Sequence, residues 1–142
     1  MSCTEEEALH AFNLTPLSSR RDMAMLGLIH RTVLGLGTSH FEEFFQLDDR
    51  PPHLHATRYR ARRHLRTLKT WRVGRFTELL RRSALGLVSV YNLLPESVVQ
   101  ETSVKSFIKG LRKTLKEWAT EGCADWQLTF SPRVPLWKHP LR

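Results

Sequence analysis

The sequence predicts a mainly α-helical domain of about four helices, with a basic loop or small β-hairpin between the second and third core segments. Two runs of apolar residues carry this expectation: Met25, Leu26, Ile29 and Val33, and then Val104, Phe107, Ile108, Leu111, Leu115 and Trp118. Spacings of three and four put each run on one face of a helix. Helix-stop chemistry follows both, as Gly35 and Gly37 after the first and Gly122 after the second, because glycine adopts the positive φ that closes a helix C-terminus. Alternation with period two, the signature of a strand, is confined to hints at Leu54, Ala56, Trp71 and Val73. With 142 residues the chain is the size of one typical domain.

Thr4 is placed to cap a short helix over residues 4–13, with Glu5, Glu6 and Glu7 in the first turn, where the positive end of the helix dipole favours acids. Pro16 ends or separates that piece. Ser18 or Ser19 is expected to cap the next helix, with Asp22 in its first turn. Met23, Leu28 and Leu34 widen its apolar face, so more than one side is expected to be buried. Ser39 and Glu42 spell a capping box before the short run of Phe41, Phe44 and Phe45, which Asp48-Asp49-Arg50-Pro51-Pro52 terminates.

From Arg50 to Arg82 the composition changes: eleven of the 22 basic residues fall in this window, with the single acid Glu78. The sequence after it is dense in apolar residues, Leu79, Leu80, Leu85, Leu87, Val88, Val90, Leu93 and Leu94, up to a turn at Pro95. Ser103 can cap the last helix, whose other faces carry Lys105, Lys109, Arg112, Lys113 and Lys116. The expected organisation is an acidic N-terminal segment at 1–16, one helical domain at 17–120 containing the basic connection 50–82, and an extended Pro-rich tail at 121–142.

The formal charge is +8, which speaks to partners and not to fold: such a surface attracts phosphate-rich polymers or anionic membranes. Arg58, Arg60, Arg62, Arg63, Arg66, Lys69, Arg72 and Arg75 interleave with aromatic residues, Tyr59 among them. Guanidinium forks beside stacking rings are what binding of RNA or single strands uses. These nine residues are the candidate nucleic-acid contacts. If about five phosphates are neutralised, log affinity should fall with log salt at a slope of about −4.

Other chemistry is poorly provided for. Cys3 and Cys123 make neither a disulfide framework nor a zinc site. His53, His55 and His64 sit among arginines that would repel a dication and lack a fourth ligand, so no metal or cofactor is expected. Asp48-Asp49 is the only paired acid resembling a polymerase metal box, and its setting reads as a helix-ending turn. No nucleophile elbow, phosphate loop or dinucleotide pattern is present; no catalytic residue is assigned. The N-terminus has acids where a secretion signal needs positive charge, and no stretch approaches the roughly 20 apolar residues of a membrane span. The expectation is an intracellular protein, nuclear or cytoplasmic, with no membrane partner.

Between Arg82 and Leu115 the order is Arg82-Ser83, a run of small and apolar residues, Tyr91-Asn92, Leu94-Pro95, then Ser103, Phe107 and Leu111. It resembles the segment that follows the polymerase domain in reverse transcriptases of non-LTR (LINE-type) retrotransposons, where the pattern runs R-S-F, W-N-x-L-P, S-x-x-x-F-K-x-x-L-K. Tyr91 stands where that family usually has tryptophan. Arg20-Arg21, Leu34-Gly35-Leu36 and Phe41 to Phe45 follow the family's order in the preceding region, so the resemblance spans residues 14–118. It implies a non-catalytic C-terminal accessory region, whose polymerase activity would lie in another domain. Its partners would be RNA or single-stranded DNA, bound with weak sequence specificity, and a polymerase domain. The alternative expectation is a non-functional or protein-interacting remnant with no specific nucleic-acid role. Tyr91, Asn92, Leu94, Pro95, Phe107 and Leu111 are expected to be structural: Tyr91 burying its ring against the last helix with a partner for its hydroxyl, Asn92 bonding its own backbone to set the turn.

Overall fold

The computed structural model describes residues 15–48, 64–70 and 83–142. The helix expected at 4–13, the strand hints at Leu54, Ala56, Trp71 and Val73, and the pair Leu79 and Leu80 lie outside them. The described residues form a mainly helical domain with five α-helices and no strand. They are α1 (Leu17–Val33), α2 (Ser39–Phe44), α3 (Leu87–Leu93), α4 (Glu96–Val99) and α5 (Val104–Thr120). A 3-10 turn at Ala84–Gly86 leads into α3, and two more follow α5 at Trp126–Leu128 and Leu136–Lys138. No described helix is long and apolar enough to cross a membrane.

The two long helices pack against each other, α1 also against α3 and α5 also against α4, while α2 stays exposed beside α1. From α1 come Met23, Leu26 and Ile29; from α5, Phe107, Leu111 and Leu115; from the α3 region, Leu87, Val88, Val90, Tyr91 and Leu94, all in one buried cluster. Each set recurs at helical spacing, so the apolar stripes anticipated from sequence are the core faces. Gly27 lets α1 and α5 approach closely: a Cβ there would lie 2.8 Å from Cδ1 of Ile108. Leu94 is extended and Pro95 is the N-cap of α4, so the Leu94-Pro95 pair converts one short helix into the next.

The helix ends differ from expectation in instructive ways. α1 begins directly after Pro16, whose carbonyl accepts the Arg20 amide at 3.0 Å, with no side-chain cap. Ser19 is instead buried and donates its hydroxyl to the Gln127 carbonyl at 3.1 Å, tying α1 to the tail. Gly35 does take the closing position, with φ +75. Gly37 does not; it is needed for room, since a Cβ there would meet Oγ1 of Thr32 at 2.8 Å. Thr38, and not Ser39, is the N-cap of α2, without a side-chain bond. Ser103 is the N-cap of α5, also without one, and Gly122 closes α5 with φ +74.

Two loop expectations are corrected. Of the helix-ending turn expected at 48–52 only Asp48 is described, and it is extended: Asp48 N–H donates to Thr67 O at 2.8 Å and Lys69 N–H to Gln46 O at 2.9 Å, framing a single antiparallel bridge between Leu47 and Leu68. The tail expected to be extended is folded back on the core. Thr129, Phe130, Ser131, His139 and Leu141 are all buried. Its Trp126–Leu128 turn packs on α5 and α1. The prolines there start turns, and the buried apolar and hydrogen-bonded residues between them have no helical period that a sequence scan would register.

Gly110 tests the packing. A Cβ at this position would meet only the Val98 methyls at 3.6 Å, an ordinary contact, so Gly110→Ala should stabilise by about 0.5–1 kcal/mol through helix propensity. Gly27→Ala should gain less, because Ile108 must move. Urea midpoints measure both, and a destabilised Gly110→Ala variant would contradict the packing described.

Candidate nucleic-acid interface

Tyr91 is fully buried, and two histidines converge on it. Its hydroxyl donates to His30 Nδ1 at 2.9 Å. His30 Nε2–H donates to the Glu101 carbonyl at 2.8 Å, which leaves Nδ1 as the acceptor. The His30 imidazole stacks on Phe107, with ring centroids 4.1 Å apart and planes 7° from parallel. On the other side His64 stands edge-on to the Tyr91 ring and donates Nε2–H to the Tyr91 carbonyl at 2.9 Å. Nδ1 of His64 is buried with no hydrogen-bond partner. Tyr91 thus has the buried ring and satisfied hydroxyl that the sequence implied.

Asn92 performs a different task from the one expected of it. It bonds the Leu68 backbone and not its own: Leu68 N–H donates to Asn92 Oδ1 at 2.8 Å and Asn92 Nδ2 donates to Leu68 O at 2.9 Å. Leu68 is paired with Leu47 as a non-hydrogen-bonded residue of the bridge, so its own N–H and C=O point away from that partner. The Asn92 amide takes the place of a neighbouring strand. Around this pair the segment 64–70 is fastened to the helices by further bonds. Arg66 Nη1 donates to the carbonyls of Val99 at 2.6 Å and Glu101 at 3.0 Å, and Leu65 N–H donates to Glu96 Oε2 at 3.1 Å.

Burial sets the ionisation of this centre. Desolvation holds His30 and His64 below the ordinary histidine range; bonds to the carbonyls of Glu101 and Tyr91 oppose it in part. His139 in the tail is depressed for the same reason while donating to Ser131 O. Desolvation also pushes the Tyr91 phenol up. His30 and Tyr91 have no exposed surface, so they are framework and present no chemistry to a substrate.

Of the nine candidate contacts, Arg66 and Lys69 are described; Arg58, Tyr59, Arg60, Arg62, Arg63, Arg72 and Arg75 lie outside the described residues, as do His53 and His55. Arg66 is half-buried and turned inward onto backbone carbonyls, away from the outward role expected of it. Lys69 is exposed, with Nζ 3.5 Å from Gln46 Oε1. Leu94, Phe107 and Leu111 are buried in the core, and Pro95 is exposed at its turn.

The described cationic surface is on α5. Lys105, Lys109, Arg112 and Lys116 are all exposed. Their spacing of four, three and four residues stacks them in one row along the helix. The row spans about 16 Å at 1.5 Å per residue. Lys113 lies beside it and reaches Glu117 at 3.9 Å, both well exposed; such a pair contributes little. Among the described residues no carboxylate pairs with the four cations of the row. The sequence places these cations on α5, and its strict apolar period fixes where they emerge. Only the fold shows that they are exposed and unpaired.

Comparison with models of known protein families, with curated proteins and with solved structures found no match.

Two predictions follow from the buried centre. Asn92→Ala leaves the buried N–H and C=O of Leu68 unsatisfied, so it should lower stability by about 1–3 kcal/mol in urea unfolding. The Leu68 amide should then exchange with solvent faster than the amides of α5. The second concerns pH. Histidines neutral in the fold but free to protonate when unfolded favour the unfolded chain once pH falls below about 6.5, so stability should drop there. Asp22 acts in the opposite sense: desolvation, partly offset by Arg133 and Arg21, raises its carboxyl from 3.8 to about 6. Its ionisation therefore destabilises the fold above pH 6, and the penalty fades as pH falls toward 4. Asp22→Asn should raise Tm near neutral pH, with a gain that shrinks to nothing near pH 4, and should steepen the acid loss. A gain independent of pH would contradict this.

Proposed function

We propose that this chain is a non-catalytic nucleic-acid-binding module that contacts the phosphates of RNA or single-stranded DNA, with weak sequence specificity. The observation that carries the reading is the row Lys105, Lys109, Arg112 and Lys116: four exposed cations in line on the outer face of a helix whose inner face is fixed in the core. One strand of a duplex advances about 3.4 Å per nucleotide and an extended single strand advances further, so a row of about 16 Å spans at most about five nucleotides. The packed helix fixes the backbone positions of these side chains, so binding orders only the side chains themselves, which lowers its cost.

The resemblance of Arg82 to Leu115 to the post-polymerase region of LINE-type reverse transcriptases supports the same reading. It assigns the module a place beside a polymerase domain, where it would hold template or target strand during reverse transcription. In this reading the arginines of 58–75 add contacts to those of α5. Arg66 is the exception, because its guanidinium already holds the α4–α5 connection.

A second reading is contact with another protein. It is favoured by the exposed apolar side chains Leu36, Phe41, Phe44, Leu47 and Leu65, the last 89% exposed. These belong to α2 and the bridge region, so a polymerase domain could dock there without covering α5. Self-association of the purified chain in analytical ultracentrifugation, relieved by Phe41→Ser with Leu65→Ser, would support it; a monomer at all concentrations would not.

Fluorescence anisotropy with a labelled single-stranded oligonucleotide tests the main reading. Binding should weaken steeply between about 50 and 200 mM salt. Changing Lys105, Lys109, Arg112 and Lys116 together to glutamine should lower the slope of log affinity against log salt by about 3, at about 0.7 per phosphate on a single strand. No binding at about 50 mM salt, or a slope untouched by the fourfold change, would reject it.

A further inference from the structure

Trp137 is the most exposed large aromatic side chain among the described residues, at 65%, yet it does not belong to a loose segment. It sits on the 3-10 turn Leu136–Lys138, introduced by Pro135 and closed by Lys138 N–H donating to Pro135 O at 2.9 Å. The turn is pinned from below. His139 is buried; its Nε2–H donates to Ser131 O at 3.0 Å, and its Nδ1 accepts the Leu141 amide at 3.3 Å. Leu141 and Phe130 are both in the core cluster. A rigid support that leaves an indole in water serves a contact more readily than it serves folding.

The surroundings of the ring specify the contact. Lys138 Nζ lies over one face of the Trp137 ring, 4.6 Å from its centroid, so a ligand would stack on the opposite face. Arg142 Nη1 donates to the Trp137 carbonyl at 3.0 Å, which holds that guanidinium beside the turn. From Trp126 to Arg142 there is no acidic residue. Arg133 is left out of the group because its charge already acts on the Asp22 carboxyl. An aromatic face with two fixed cations suits a ligand that offers a planar π-surface and negative charge together. An apolar protein surface would match the indole but would have to desolvate Lys138 and Arg142 without a counter-charge.

We propose that Trp137, flanked by Lys138 and Arg142, is a stacking platform for an unpaired base of single-stranded nucleic acid, with the two cations taking the phosphates on either side of that base. The platform deepens the nucleic-acid reading of α5 and rests on it. The row on α5 supplies charge and register; the indole supplies a contact with the base itself.

The test compares the full chain with Trp137→Ala and Trp137→Phe, using a labelled oligothymidylate and an abasic strand of the same length. Stacking on one base contributes about 1–3 kcal/mol, so Trp137→Ala should bind oligothymidylate about 5- to 150-fold more weakly. The salt slope should stay as in the parent chain, and affinity for the abasic strand should not change. Trp137→Phe should recover most of the loss. Circular dichroism and a cooperative melt check that the variants stay folded. Equal binding of oligothymidylate by Trp137→Ala and the parent chain overturns the platform while leaving the α5 reading intact. An equal loss on both strands also overturns it, since the ring would then act through the backbone or the fold. If the parent chain binds neither strand at about 50 mM salt, the α5 reading fails and the platform with it.

Discussion

The structure turns on one buried phenol. Tyr91 lies where the two long helices and the short α3 meet, and its hydroxyl must find an acceptor there because no water reaches it. His30 provides that acceptor only because its other nitrogen is committed to the Glu101 carbonyl, which fixes the tautomer. The chain thereby links α1, α3 and the entry to α5 through two hydrogen bonds and a stacked Phe107. Each member is satisfied by the next, and the condition holds only while His30 is neutral. The core should therefore lose stability in acid although it is mostly apolar. Asn92, one residue on, turns outward from the same helix and grips the Leu68 backbone. Adjacent residues of one short helix therefore hold the helical core together and fasten the segment 64–70 to it.

That arrangement gives the Tyr91-Asn92-Leu93-Leu94-Pro95 stretch a physical reason. The aromatic residue closes the core, the amide replaces a missing strand, and Leu94-Pro95 turns the chain into α4 so that α5 can start beside Glu101. Arg66 bonds to the carbonyls on the same connection. The middle of the arginine-rich connection is therefore anchored a few residues before the row of cations on α5 begins. Fastening and presentation are carried by different residues: Arg66 and Asn92 look inward, Lys105 to Lys116 look outward.

Much of this was legible in the sequence, for identifiable reasons. α1 and α5 announce themselves because their apolar residues keep a helical period, and burial confirms that the period marks the core face. The tyrosine was readable as a buried ring with a bonded hydroxyl because a phenol in an apolar run has few other options. The partner of Asn92 was not readable, since a bond between residues 68 and 92 leaves no local pattern; asparagine near a proline suggests a local turn by default. The tail misled for a similar reason. Three prolines and no period imply an extended chain, whereas Phe130, His139 and Leu141 pack individually and Ser19 reaches Gln127 across the fold. Helix caps were the least legible feature, because serine and threonine hydroxyls near α1 and α2 either bond elsewhere or leave the cap to the backbone. The sequence gives the number and positions of the cations; only the fold distinguishes an outward row on α5 from a guanidinium enclosed at Arg66.

The central claim is that a core locked around Tyr91 presents a fixed outer face to a single strand. Titration of the isotopically labelled chain with an oligothymidylate, followed by two-dimensional 1H–15N NMR, tests it most directly. The account predicts shifts concentrated at the amides of Lys105, Lys109, Arg112 and Lys116 and at the indole N–H of Trp137, with the Leu68 amide and the Asn92 side-chain amide unmoved. Shifts confined to Phe41, Phe44 and Leu47, or spread through the buried residues around Tyr91, would contradict it.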